Sequence, residues 1–345
     1  MRRRSKRRND LAFKAQLLTA ALALAACGVS SVASPSPVRG SIHHVVIVVK
    51  ENHSFDNYFG SLETPRLSLP HCGSLTAQLN CQYDNSDIPA YYRYAHEFAY
   101  ADRYFTDVRG PSWPNDMMMT AAQSPLVDNP PPPLSTWVCP VTCYDFLTIG
   151  DRLSAAGTSW RNYGEELYDP FRSIQRYAYD HVHNVDVTQL FNDLAAGNLP
   201  AVAWIRPSGP DSEHPGYDIK RGEKWSVNVV NAIMRSQFWS STAILVTWDD
   251  AGDVVDHVSP PVVEQSATGK IVRYGLRVPL LVLSPYTAAG TISHQLLSHV
   301  STLRLIEDLF HLDPLTARDR DANGLSAFFN FSQPARKPVL IEPSA

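Results

Sequence analysis

Four apolar runs, each closing abruptly on charged or amide residues, most constrain what this chain can fold into. They are Ile42–Val49, Leu199–Ile205, Thr242–Trp248 and Val278–Leu283, and β-branched residues dominate the first. Such runs suit strands buried on both faces, the condition met in parallel sheets. Helical patterns cover Val187–Leu194, Ser226–Arg235 and His299–His311. Strands alternating with amphipathic helices predict an α/β fold, a three-layer sandwich around a mostly parallel central sheet. In such a sheet, ligand sites collect at the carboxyl ends of the strands.

The residues that follow the runs are therefore the candidates for chemistry. The first run leads into Lys50-Glu51-Asn52-His53, and the second leads through Arg206 to Asp211-Ser212-Glu213-His214. The third ends in Asp249-Asp250, with Asp256-His257 shortly after. Adjacent carboxylates past a buried strand repel one another unless exposure or a cation relieves them. Carboxylate and amide oxygens suit a divalent ion such as Ca, Mg or Mn, and Zn or Fe remains open. On composition alone, solvated loop acids explain the pattern equally well.

The 345 residues carry 34 acidic and 30 basic side chains, a net charge of −4. No basic surface for nucleic acid is legible apart from Arg2-Arg3-Arg4-Ser5-Lys6-Arg7-Arg8. That segment precedes a short apolar stretch, Leu17–Ala26, too short to span a bilayer, and together they predict an export signal. Leu24-Ala25-Ala26-Cys27 resembles a bacterial lipobox, whose cysteine is lipidated; a plain signal peptide is the alternative. Arg7-Arg8 is a poorer match to a twin-arginine signal. The expected organisation is an export signal over residues 1–27, a Ser/Pro-rich tether over 28–40 and one domain over 41–345. The expected location is the cell envelope, outside the cytoplasm, with the chain held to the membrane by its lipid. Four further cysteines in an exported chain favour disulfides, and proximity suggests Cys72–Cys81 and Cys139–Cys143 among three possible pairings. A zinc site of four thiolates is disfavoured, because paired C-x-x-C knuckles are missing.

The segment Glu51-Asn52-His53-Ser54-Phe55-Asp56-Asn57-Tyr58-Phe59-Gly60 closely resembles the signature of the bacterial phosphoesterase family. Four more stretches resemble that family in order. They are Ala101–Phe105 with Gly110-Pro111-Ser112-Trp113-Pro114-Asn115; Leu199–Ile205 with Glu213-His214-Pro215-Gly216; Thr247–Asp250 with Asp256-His257-Val258; and Arg277–Pro279 with Ser284-Pro285-Tyr286, His294 and His299. The family includes non-haemolytic phospholipases C and acid phosphatases, and its fold is related to those of alkaline phosphatase and the sulfatases.

The resemblance implies that Glu51, Asn52, Asp249 and Asp250 hold a divalent metal ion together with Ser112, the nucleophile. His214 matches a histidine that contacts the phosphate. His257 is expected to assist catalysis, and His183, His294 and Asn115 to contact substrate. The implied substrate is a phosphate ester, either a phospholipid headgroup or a phosphomonoester. A serine hydroxyl is a weak nucleophile until its pKa is lowered, which fits a nucleophile beside a cation. Two rivals remain at this stage. A sulfatase or phosphonate hydrolase on the same fold lacks support, since Ser112-Trp113-Pro114-Asn115-Asp116 has no arginine where sulfatases need one. A surface lipoprotein that binds metal or phosphate without turnover is the other. Tyr168-Asp169-Pro170-Phe171 stands where the family has His-Asn-Pro-Phe, and the family's insertion bearing another phosphate-contacting histidine has no match between Gly60 and Tyr91.

Overall fold

A computed structural model describes residues 42–62, 69–129, 144–164, 169–252, 255–265 and 271–343. The export signal, Cys27, the tether and the Cys139–Cys143 pairing lie outside the described residues. The Cys72–Cys81 disulfide is present.

The central sheet has eight strands: β1 (His44–Lys50), β2 (Ala99–Ala101), β4 (Trp160–Tyr163), β5 (Asn184–Val185), β6 (Val202–Ile205), β7 (Thr242–Trp248), β10 (Leu280–Leu283) and β11 (Thr291–Ser293). Their spatial order is β11-β2-β10-β7-β1-β6-β4-β5. Two small ladders pair β3 (Tyr104–Phe105) with β12 (Leu297–Ser298), and β8 (Val262–Gln265) with β9 (Ile271–Arg273). The helices are α1 (Phe55–Phe59), α2 (Pro89–Glu97), α3 (Ser112–Ala121), α4 (Ile149–Ala155), α5 (Gln189–Ala196), α6 (Ile219–Arg235), α7 (His299–Phe310) and α8 (Ala317–Arg320).

The four apolar runs become four adjacent strands, β10, β7, β1 and β6, at the centre of the sheet. Val45–Val49 and all of β7 are buried, as strands covered on both faces must be. Helices α2 and α5 pack on α6, whereas α3 packs on α4 and α7. The expected α/β class with a mostly parallel sheet is what the fold shows. β10 is the exception within that centre, antiparallel to both β7 and β2. The chain between β7 and β10 shows the β8–β9 ladder rather than a crossover helix, so it returns from the edge it left and must run the other way. The α6 pattern, legible from Ser226, begins earlier at Ile219 because the Asp218 side chain caps the Lys220 and Arg221 N–H groups.

This register sets the site. Val48 is level with both Ile205 and Val246, and Lys50 is level with Trp248. Glu51, Arg206 and Asp249 therefore leave neighbouring parallel strands at one edge of the sheet.

Candidate active site

The β1–β7 ladder continues one step past the strands, through a bond from the Asp249 N–H to the Lys50 carbonyl at 2.9 Å. Beyond it the chain turns sharply at Asn52, which adopts a left-handed φ of 54°, a conformation asparagine tolerates better than most residues. That turn aims the Asn52 backbone N–H at Asp249 Oδ1, 3.1 Å away, and its amide nitrogen at Asp250 Oδ1, 2.9 Å away. Asp249 and Asp250 are fully buried, while Glu51, Asn52 and Ser112 are half-buried.

Ser112 opens α3 and reaches the same place from the other side. Its Oγ donates to Asp250 Oδ2 at 2.9 Å and lies 3.5 Å from Glu51 Oε2. The loop before it is held by Asn115, which is fully buried. Asn115 Oδ1 accepts from the Val108 N–H at 2.9 Å, and its amide nitrogen faces the carbonyls of Val108, Gly110 and Pro111 at 3.0–3.1 Å. With its amide committed to the backbone, Asn115 shapes the Ser112 turn, whereas the sequence suggested a substrate contact. Pro114 is tolerated in the first helical turn, where its missing N–H costs no helical bond.

The electrostatics of this cluster are those of crowded carboxylates. Burial, then the neighbouring Asp249 and Asp116, push the Glu51 carboxyl well above its ordinary range. Burial and Asp249 do the same to Asp250. Asn52 Oδ1 and Asp249 Oδ2 are buried and have no hydrogen-bond partner. Unpartnered buried oxygens beside mutually repelling carboxylates are what an oxygen-preferring divalent cation would satisfy, so the residues present fit such an ion.

Sequence reasoning left several buried groups around this cluster unassigned. The Lys50 ammonium, wholly buried, lies 3.2 Å from Glu213 Oε1. The same Glu213 carboxylate accepts from Tyr58 at 2.8 Å and Tyr91 at 2.6 Å, and its backbone has a φ of 70°. His53 Nε2 pairs with the Glu213 carbonyl at 2.8 Å, and burial lowers the imidazole to about 4, so it is neutral. Arg206 bonds Asp116, on α3 one turn beyond Ser112. A lysine ending a β-branched run, and a glutamate directly before a candidate histidine, were the signals available, since a buried charge requires a partner.

The predicted histidines divide. His214 is exposed on the segment whose Ser212 carbonyl accepts from the Glu51 N–H at 3.1 Å, so it stands beside the cluster. Its Nδ1 pairs with the Pro215 carbonyl at 3.0 Å. His257 pairs through Nδ1 with both Asp56 oxygens at 2.9 Å, and Arg277 bridges Asp56 and Asp256. Arg277 precedes β10, so this group lies at the same edge of the sheet. Asp56, Asp256 and His257 have the spacing of a metal site, but Arg277 already supplies the cation there.

His294 is exposed, pairs with Asp102 and follows β11, four strand positions from β1. His183 stacks on Trp160 and pairs with Asp180 at 2.6 Å. It precedes β5, three strands from β1 and level with Val46, which puts it about 20 Å from Glu51 at ordinary strand spacings. The sequence suggested a substrate contact for His183, and the structure places it at the start of an edge strand, away from Glu51. His299 is buried, with Nε2 on the Trp248 carbonyl at 3.0 Å, and ties the start of α7 to the end of β7.

Comparison with known proteins agrees with the geometry. The chain is 27% identical over 308 residues to "Phospholipase C B" of Mycobacterium tuberculosis, covering 76% of this chain and 58% of that protein. It is 26% identical over 403 aligned residues to "Non-hemolytic phospholipase C" of Pseudomonas aeruginosa, covering 86% and 58%. The chain thus spans under three fifths of these curated relatives, 58% in both cases. Its fold is similar to that of murine ectonucleotide pyrophosphatase/phosphodiesterase 5 in complex with AMP, at a TM-score of 0.50 and 10% identity, covering 84% of this chain and all of that one. The model of the Phosphoesterase family matches residues 42–69 and 69–313, nearly the whole described sheet and both sides of the Ser112 cluster, and the chain belongs to that family.

Proposed function

We propose that this chain hydrolyses phosphate esters through Ser112, with Glu51, Asn52, Asp249 and Asp250 holding a divalent cation. The observation that carries this reading is the convergence of one serine hydroxyl with carboxylate and amide oxygens from β1 and β7, two of those oxygens buried and unpartnered. A bound cation would stabilise the Ser112 alkoxide and offset the charge of the phosphoryl oxygens.

The protein's own groups do the rest. Ser112 Oγ attacks phosphorus, forming the Oγ–P bond as the bond to the leaving oxygen breaks, and the leaving oxygen takes a proton. Water then cleaves Oγ–P and restores the serine. Asn115 keeps the hydroxyl aimed at the cluster. His214, exposed beside Glu51, contacts phosphoryl oxygens or protonates the leaving group, and His257, oriented by Asp56, serves the same edge. The names of the relatives favour a phospholipase C-like diester over a phosphomonoester. Export and lipid attachment at Cys27 would set the site close to membrane lipid.

The test is hydrolysis of a chromogenic phosphomonoester and a phosphocholine diester, with and without chelator, by the full chain and by Ser112→Ala. Chelator-sensitive turnover lost in the variant supports the reading, and the preferred ester decides the substrate class. A folded protein inert toward both esters with every divalent ion tried would favour metal or phosphate binding without turnover.

A further inference from the structure

Arg206 is a buried cation at the margin of a buried anionic cluster. Its backbone N–H bonds the Tyr163 carbonyl at 2.8 Å. Its Cβ packs over Gly164 so closely that a methyl group there would come within 3.2 Å. The root of the side chain is thus fixed between β6 and the end of β4. Its guanidinium bonds Asp116, and Arg206 and Asp116 are only 6% and 1% exposed. Asp116, Glu51 and Asp249 act on it by their charge, and the buried Asp169 carboxyl feels the guanidinium in turn. One donor, Nε–H, is buried and unpartnered.

A guanidinium in this position bonds whichever carboxylate is available. Paired with Glu51 or Asp249, it would occupy the oxygens a metal ion needs and neutralise them from inside the protein. Asp116 removes that option by taking the guanidinium itself. We infer that Asp116 is a counter-anion that holds Arg206 off Glu51 and Asp249, so that the Arg206–Asp116 pair sets how tightly the cradle binds its cation. The inference rests on the reading that Glu51, Asn52, Asp249 and Asp250 hold a divalent ion. It gives both residues positioning and charge-balancing roles, with no contact to substrate.

The pair predicts effects of opposite sign. Calorimetric titration of Mn²⁺, and separately Zn²⁺, into the chelator-stripped full chain reads them without turnover. Arg206→Gln leaves the Asp116 charge uncompensated beside the cradle and tightens the ion about tenfold or more, the order expected for one charge beside a partly buried divalent site. Asp116→Asn frees Arg206 to pair with the cradle and weakens binding by about the same factor. The double variant is neutral at both positions and returns to within about threefold of the parent, since the two charges cancel.

Single variants shifting in the same direction, or both staying within about threefold of the parent, would overturn the pair's role. If Asp116→Asn does not fold because a lone charge is left buried, Arg206→Gln alone decides, because structural damage loosens a metal and does not tighten it. A parent protein that binds neither ion overturns the cradle reading itself. A parent that binds while the variants do not diverge overturns only this inference.

Discussion

Asn115→Ala should separate a residue that shapes the site from one that touches substrate. The side chain is fully buried and joins Val108, Gly110 and Pro111 through four contacts of 2.9–3.1 Å. Truncation leaves the Val108 N–H and three carbonyls to find water or remain unpaired. At roughly 0.5–1.5 kcal/mol net for each bond, and with the three carbonyls sharing one amide, the expected loss is about 2–3 kcal/mol. A loop relaxed by an ångström would move the Ser112 hydroxyl out of line, which costs about 100-fold in rate where geometry sets the barrier. Urea denaturation reads the first quantity, and steady-state hydrolysis of the better ester reads the second. The loss should fall on kcat, with KM changed little. A rise in KM at unchanged kcat would refute the positioning role and return Asn115 to substrate binding.

Three further outcomes follow from the buried charges and the disulfide. In the metal-free protein the Glu51 and Asp250 carboxyls are raised, so their contribution to stability is full below the ordinary carboxylate pKa and is lost as pH rises. Stabilisation by added divalent ion should therefore grow from acid to neutral pH in thermal melts; a shift in Tm independent of pH would contradict this. Cys72→Ser with Cys81→Ser opens a loop with a sequence separation of 9 and should lower stability by about 2–3 kcal/mol on the chain-entropy account, measurable by chemical denaturation under non-reducing conditions. Glu307, away from the site, is pushed up to about 9 by burial, then by the Asp319 carboxylate it pairs with. Its contribution is full below the ordinary carboxylate value and is lost as pH rises toward about 9, so Glu307→Gln should melt higher than the parent at pH 8–9 and close to it near pH 4; equal melting temperatures at alkaline pH would sink that assignment.

Much of the sheet's centre was legible because the signal was long. β1 and β7 run seven residues each, apolar almost throughout, and their partners follow from neighbouring runs. β5 and β11, two and three residues long, carry no comparable pattern and take their place from pairing alone. That is why His183 was assigned to the site: nothing in its surroundings says that it precedes an edge strand. Asn115 shows a related limit. A polar residue inside a recognisable motif reads as chemistry, whereas here the motif preserves a turn. Lys50, Glu213, Asp116 and Arg206 took no role from the sequence because each looks like an ordinary charge until a partner 90 or 163 positions away is brought beside it.

The central claim is that Ser112 is the nucleophile of a cation-holding cradle, and trapping the phosphoserine tests it most directly. The full chain, loaded with Mn²⁺ or Zn²⁺, is mixed with the better ester, quenched in acid within the first turnover and digested for mass spectrometry. The account predicts one added phosphoryl group on the peptide containing Ser112, absent after chelation and absent in Ser112→Ala. Turnover that continues in Ser112→Ala, or a phosphoryl group found on another residue, would contradict it.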